Sequence, residues 1–181
     1  MSTVADNVYI LTGTMGSGKS TVIEEFRKQG ITTVSEPARE ILNEQRVANR
    51  NGLPEKDPEL FTKLLFHRTL SQYSESQKSE SIVISDRGLP DIIGYARLFG
   101  LDQLLFIHAA KENKYNKKVF ILPCWDEIYV NDDERKMSLQ QAQAFSRDLY
   151  EIYQSMGYQL IEVPKSSPSE RASFILSNIL G

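Results

Sequence analysis

Gly13-Thr14-Met15-Gly16-Ser17-Gly18-Lys19-Ser20 satisfies G-x-x-x-x-G-K-[ST] at every constrained position, the pattern of a phosphate-binding loop. The apolar run Val8-Tyr9-Ile10-Leu11 before it reads as a buried strand, and Ser20 to Lys28 after it as a helix. The motif therefore occupies a strand-to-helix corner. Gly13, Gly16 and Gly18 carry no Cβ, so the backbone here can close round an anion and aim several N–H groups inward, with Thr14, Met15 and Ser17 completing the cradle. The helix N-terminus adds partial positive charge. In that arrangement Lys19 reaches the β- and γ-phosphates, Ser20 offers its hydroxyl to Mg²⁺, and Thr21 is placed to touch the α-phosphate. The competing reading is a glycine-rich turn that matches by accident. At ordinary glycine usage such a match arises in roughly one chain per hundred of this length, before the strand and helix are demanded as context.

The rest of the composition is that of an ordinary globular protein. The 181 residues are 40% hydrophobic and 25% charged, which suits a single soluble domain spanning 1–181. A net charge of -3 argues against a polyanion-binding surface, so no nucleic acid partner is expected. Cys124 is the lone cysteine, which precludes an internal disulfide and a cysteine zinc cluster and fits a reducing compartment. The first seven residues lack the charge-then-apolar order of a secretory signal, and no apolar run approaches a membrane span. The expected location is the cytoplasm.

Beyond the first helix, strand and helix signals alternate. Ile31 to Val34 is a short β-branched strand, and Pro37 opens a helix running to about Asn49. Asn51-Gly52-Leu53-Pro54, followed by Asp57-Pro58, is a loop, read equally as a surface connection or as a flap over a site. A long helix from Glu59 to about Gln77 carries an apolar stripe. Ser81 to Asp86 is an apolar strand ending in a carboxylate, with helices over 90–99 and 102–111 beyond it. Lys118 to Pro123 and Tyr158 to Val163 are further strands, separated by a helix over 138–156, and a last helix runs from Pro168 to Leu180. Strands separated by helices imply a parallel sheet covered on both faces, with ligands outside the carboxyl ends of the strands.

That rule directs attention to the residue after each strand. Asp86 emerges beside the phosphate loop, where it either binds Mg²⁺ directly or through water, or serves as a helix cap or a partner of Arg87. Arg87 either holds a transferring phosphoryl group or substrate, or forms a salt bridge that shapes the corner. Glu36 precedes Pro37 at the place of a helix cap, yet glutamate is a poor N-cap. A weak capper at a strand end facing the nucleotide suggests that it accepts a proton from a substrate hydroxyl, or holds that hydroxyl in line with the γ-phosphate. Arg39, one turn on, either flanks the same pocket or pairs locally with Glu36 or Glu40.

The order of the phosphate loop, Ser35-Glu36-Pro37-Ala38-Arg39-Glu40, Asp86-Arg87-Gly88-Leu89-Pro90-Asp91 and 122–132 resembles a family of predicted small P-loop ATPases. These share the AAA-type domain grouped with nicotinamide riboside kinase and an insect trafficking protein. More distantly, Glu36-Pro37 and Asp86-Arg87 are similar to the paired acidic motifs of deoxynucleoside and thymidylate kinases. That likeness implies acceptor contact for Glu36 and a part in magnesium binding for Asp86. Gly88 after Arg87 departs from the Ser or Tyr of those kinases. The fold expected is a three-layer α/β/α P-loop NTPase of kinase-like type, with a five-stranded parallel sheet in the order 2-3-1-4-5.

The charged run after Trp125 lies between a strand and a helix, where P-loop kinases place a mobile lid, here 124–137. Arg135, then Lys136, would neutralise charge on the transferring phosphate, unless the run is only a solvated loop. The segment 164–167 is placed to pack along an adenine edge. Together these readings describe a magnesium-dependent phosphotransferase that moves the γ-phosphate of ATP, or of GTP, to an unidentified small hydroxyl-bearing acceptor, with nucleoside-like molecules among the candidates. Lys19, Ser20 and Asp86 handle phosphate and metal, Glu36 the acceptor, and Arg87 and Arg135 the developing charge. A plain nucleotide hydrolase and a slow nucleotide-gated regulatory module are the alternatives.

Overall fold

The structure is a computed structural model and describes residues 3–14, 16–125 and 138–181. Seven strands and seven α-helices are described, in the order β1 (Thr3–Ala5), β2 (Val8–Gly13), α1 (Lys19–Lys28), β3 (Thr32–Val34), α2 (Ala38–Val47), α3 (Pro58–Ser76) and β4 (Val83–Asp86). There follow α4 (Leu89–Leu98), α5 (Leu104–Glu112), β5 (Asn113–Tyr115), β6 (Lys118–Leu122), α6 (Leu139–Ser155), β7 (Gln159–Glu162) and α7 (Pro168–Leu180).

The main sheet is parallel throughout, in the order β3-β4-β2-β6-β7. Its members are the five strands expected from sequence, and they take the places 2-3-1-4-5. The difference lies in β1 and β5, which pair in a separate two-stranded parallel ribbon. At three residues each, they are too short to show the alternation that betrays a half-buried strand.

The alternation of side chains in β2, β4 and β6 sorts the core into two layers. Ile10, Val83, Val119 and Ile121 face the layer that holds α3, α4, α5 and α6. Leu11, Ile84, Phe120 and Leu122 face the opposite layer, against Val22 and Phe26 of α1 and Ala172 and Ile175 of α7. Burial on both faces explains why these strands read as continuous apolar runs. Each fully buried aliphatic or aromatic chain contributes about 1.5–3 kcal/mol, so these strands anchor the sheet edge on which the site is built.

Register places that edge. Leu11 of β2 lies opposite Asp86 of β4, and Gly13 lies opposite Leu122 of β6. The β2 end, the Asp86 carboxylate and the end of β6 thus open on the same side. No helix among the described residues is long and apolar enough to cross a membrane.

Candidate functional site

At the carboxyl end of β2 the chain is forced to be glycine. A Cβ on Gly13 (φ +148°) would lie 2.6 Å from the Leu122 carbonyl oxygen, so β6 can pair here only with a residue lacking a side chain. Gly18 (φ +79°) turns the chain into α1, which has neither a side-chain cap nor an acid in its first turn. The helix N-terminus therefore keeps its N–H donors and partial positive charge for an outside anion. The buried hydroxyls of Thr14 and Ser17 have no hydrogen-bond partner among the described residues. Buried polar atoms are normally satisfied, so two orphans in one loop fit a site that takes a polar ligand.

Lys19 points across this cradle. Its Nζ donates to Asp86 Oδ1 at 2.5 Å and lies 3.6 Å from Glu36 Oε2. Ser20 and Thr21 are exposed on the cavity wall, and Thr21 Oγ1 donates to the Gly18 carbonyl at 2.7 Å. Met15 and Arg135, like Lys136 and all of 126–137, lie outside the described residues, so the expected lid does too apart from Cys124 and Trp125.

The corner after β4 carries the second half of the site. Arg87 adopts a left-handed conformation (φ +72°), which is uncommon for a residue with a Cβ and is held here by its partners. Its backbone N–H donates to the Leu11 carbonyl at 3.0 Å. From a side chain only 4% exposed, Nε donates to Glu36 Oε1 at 2.6 Å and Nη1 to Asp91 Oδ1 at 3.1 Å. The guanidinium carbon lies 5.7 Å from the centre of the Tyr95 ring, whose hydroxyl donates to the same Glu36 oxygen at 3.0 Å. Of the two sequence readings of Arg87, the salt bridges that shape the corner are present, and the side chain also lines the cavity. Glu36 is no cap, since α2 begins without any side-chain cap, and its carboxylate faces Arg87, Tyr95 and Lys19 instead.

Asp91 is the residue that sequence reasoning missed. It is wholly buried in the first turn of α4, and its carboxylate accepts from Thr12 Oγ1 (2.6 Å), Gly88 N (2.9 Å), Tyr153 OH (2.5 Å) and Arg87 Nη1. Four donors satisfy the charge and tie the strand below the phosphate loop to α4 and α6. The sequence signal was an acid in a helical first turn, four residues beyond an arginine, but Thr12 and Tyr153 come from far along the chain.

The electrostatics follow from these contacts. Burial alone would raise the Glu36 carboxyl, but the nearby Arg87 guanidinium and Lys19 ammonium outweigh it and bring it from 4.5 to about 2. Asp86 moves the other way: burial raises it, reinforced by the Glu36 charge, and Lys19 only partly offsets this. Because the folded-state pKa of Glu36 is depressed, its stabilisation is complete above about 4.5 and is lost as pH falls toward about 2. Between about pH 5 and pH 3 the stability advantage of the wild type over Glu36→Gln should shrink by about 2 kcal/mol in urea titrations. A constant gap between the two curves would refute the ion pairing. Asp86 runs with the opposite sign, and because the Glu36 charge supplies part of its upward shift, that opposing contribution is smaller in Glu36→Gln and trims the difference.

A cavity of about 1070 Å³ joins these groups. One end is walled by the phosphate loop, Trp125, Ser166, Ser167 and Arg171, so of the segment 164–167 the two serines line the space. Arg171 donates from Nη1 to the Ser17 carbonyl at 3.1 Å and lies over the Trp125 ring at 5.5 Å. The other end is walled by Glu36 and Arg87, by the aromatic rings of Phe61, Tyr95 and Phe99, and by the inner face of α2. Pro54 and Glu55 also line it. Their loop is anchored by Gly52 N donating to Gln45 Oε1 (3.1 Å) and by Leu53, which is buried.

Comparison with known proteins agrees with this architecture. The model of a family described as an AAA domain matches residues 8–171. The deoxyadenosine kinase of M. mycoides superposes with a TM-score of 0.70 at 15% identity, covering 96% of this chain and 98% of that one. A NadR protein in complex with NR gives 0.73 at 17% identity, over 95% of this chain and 51% of its own. Shikimate kinase from Aquifex aeolicus gives 0.57 at 20%, over 96% of each chain. No curated protein matches the sequence. These likenesses establish the kinase-like P-loop fold.

Proposed function

We propose, from the premise that this chain belongs to the AAA domain family, that it is a phosphotransferase moving the γ-phosphate of ATP to a small hydroxyl-bearing acceptor. The observation that carries the reading is the shape of the cavity: a phosphate cradle at one end opens into a second, aromatic-walled end gripped by Glu36 and Arg87. At about 1070 Å³ it lies at the upper edge of the range common for ligand sites, about 300–1,000 Å³, and its aromatic-walled end is more than a phosphate cradle alone requires. The kinase names of two structural neighbours support the same reading.

The loop N–H groups and Lys19 bind the β- and γ-phosphates, Lys19 leaving Asp86 as the nucleotide enters. The donor set fits Mg²⁺: an exposed Ser20 hydroxyl and the Asp86 carboxylate are one or two oxygen ligands of the kind this ion takes alongside phosphates. When bound, the ion neutralises charge on the transferring group. Glu36 accepts a hydrogen bond from the acceptor hydroxyl and aims its oxygen at the γ-phosphorus. The new O–P bond forms as the bond to the β-bridging oxygen breaks, and ADP leaves with the electron pair. A carboxylate held at about 2 is a weak base, so it takes the proton late, once bonding to phosphorus has made the hydroxyl acidic. Arg87 fixes Glu36 for that task.

Incubation with γ-labelled ATP, Mg²⁺ and a pooled library of hydroxyl-bearing metabolites should place label on an organic product, whereas free phosphate alone would replace the kinase with a hydrolase. Glu36→Gln should lower transfer about 10²- to 10⁴-fold while leaving ATP affinity, read by calorimetry, within a few-fold. Equal loss of both would remove Glu36 from the acceptor side.

A further inference from the structure

The α2 helix separates its charges by face. Glu40 and Glu44 turn to α3, where both lie within ion-pair distance of Arg68, at 3.3 and 3.0 Å. Arg39 and Arg46, with Leu42 between them, turn to the cavity, and neither makes a hydrogen bond or ion pair among the described residues. They stand seven residues apart on one face, about 10 Å along the axis. The arrangement runs against the net charge of -3: among the described residues, five cationic side chains line this space and two carboxylates, Glu36 and Glu55. Lys19 serves the phosphate cradle, Arg87 is neutralised by Glu36 and Asp91, and Arg171 is held against Ser17 at the far end. The uncommitted positive charge thus belongs to the acceptor end, beside the rings of Phe61, Tyr95 and Phe99.

From this we infer that the acceptor is itself an anion: a molecule with a transferable hydroxyl at Glu36, a flat ring against the aromatic wall, and a carboxylate or phosphate monoester seated on Arg39 and Arg46. Guanidinium groups suit both acids, since their paired N–H donors match two oxygens at once. Leu42 between them supplies apolar contact for the ring rather than a third charge. The inference rests on the kinase reading above and sharpens it to a class of substrate.

The test uses the intact protein, γ-labelled ATP and Mg²⁺, with a deproteinised cell extract split at neutral pH on an anion-exchange resin. Transfer of label to an organic product should be confined to the retained fraction, and treating that fraction with a phosphomonoesterase before the assay separates phosphate-bearing from carboxylate-bearing acceptors. With the active fraction, Arg39→Gln and Arg46→Gln should each raise the apparent KM about tenfold or more, with kcat and calorimetric ATP affinity within about twofold. Acceptor activity in the flow-through overturns the inference and leaves the kinase intact, as does retained activity whose KM ignores both substitutions. Transfer from neither fraction removes the kinase reading itself.

Discussion

Lys19→Ala should lower triphosphate affinity by about 10²- to 10³-fold in calorimetric titrations, the scale on which preorganised donors act on phosphate oxygens. The ammonium points across the cradle, 2.5 Å from Asp86 and 3.6 Å from Glu36. Removing it takes away the positive charge meant for the β- and γ-phosphates and leaves two carboxylates facing an incoming polyanion. Loss and repulsion therefore act in the same direction. Folding should survive, because burial already raises the Asp86 carboxyl and it can take up a proton when its partner is gone. Circular dichroism checks that point. Undiminished uptake of triphosphate by a folded Lys19→Ala protein would dismantle the assignment of this loop.

The second large effect is on stability. Asp91→Ala should cost about 3–5 kcal/mol, the usual penalty for removing one member of a buried charge network. Thr12, Tyr153, Gly88 and Arg87 all lose an acceptor, and Arg87 keeps a buried positive charge with only Glu36 to balance it. For a chain of this size the melting temperature should fall by roughly 10 °C. Asp91→Asn keeps the volume and one acceptor oxygen, and should sit between the two. A loss below about 1 kcal/mol for the alanine variant would mean that these donors find other partners.

The contrast between these two residues marks how far the sequence could be read. Lys19 was legible because the backbone that presents it is local: a strand, a glycine turn and a helix start within a dozen residues. The alternation of strands and helices made a parallel sheet legible, whereas the order of its five strands was expected from the resemblance to P-loop kinases. Asp91 was not, because its meaning depends on Thr12 and Tyr153, 79 and 62 residues away. Arg87 looked like a simple choice between site and scaffold, and only the tertiary structure shows its guanidinium braced by both Glu36 and Asp91 at the cavity wall. Glu36 shows the same limit. Its unsuitability as a cap pointed correctly away from α2, but only the tertiary pairing with Arg87 and Lys19 reveals how weak a base it is.

The short contact between Lys19 and Asp86 has one more consequence. The Asp86 carboxylate is a counter-ion supplied by the chain itself, standing where the ammonium would otherwise be unbalanced. On the proposed function, nucleotide entry becomes an exchange of counter-ions rather than the filling of a bare charge, so part of the attraction is spent on displacing Asp86.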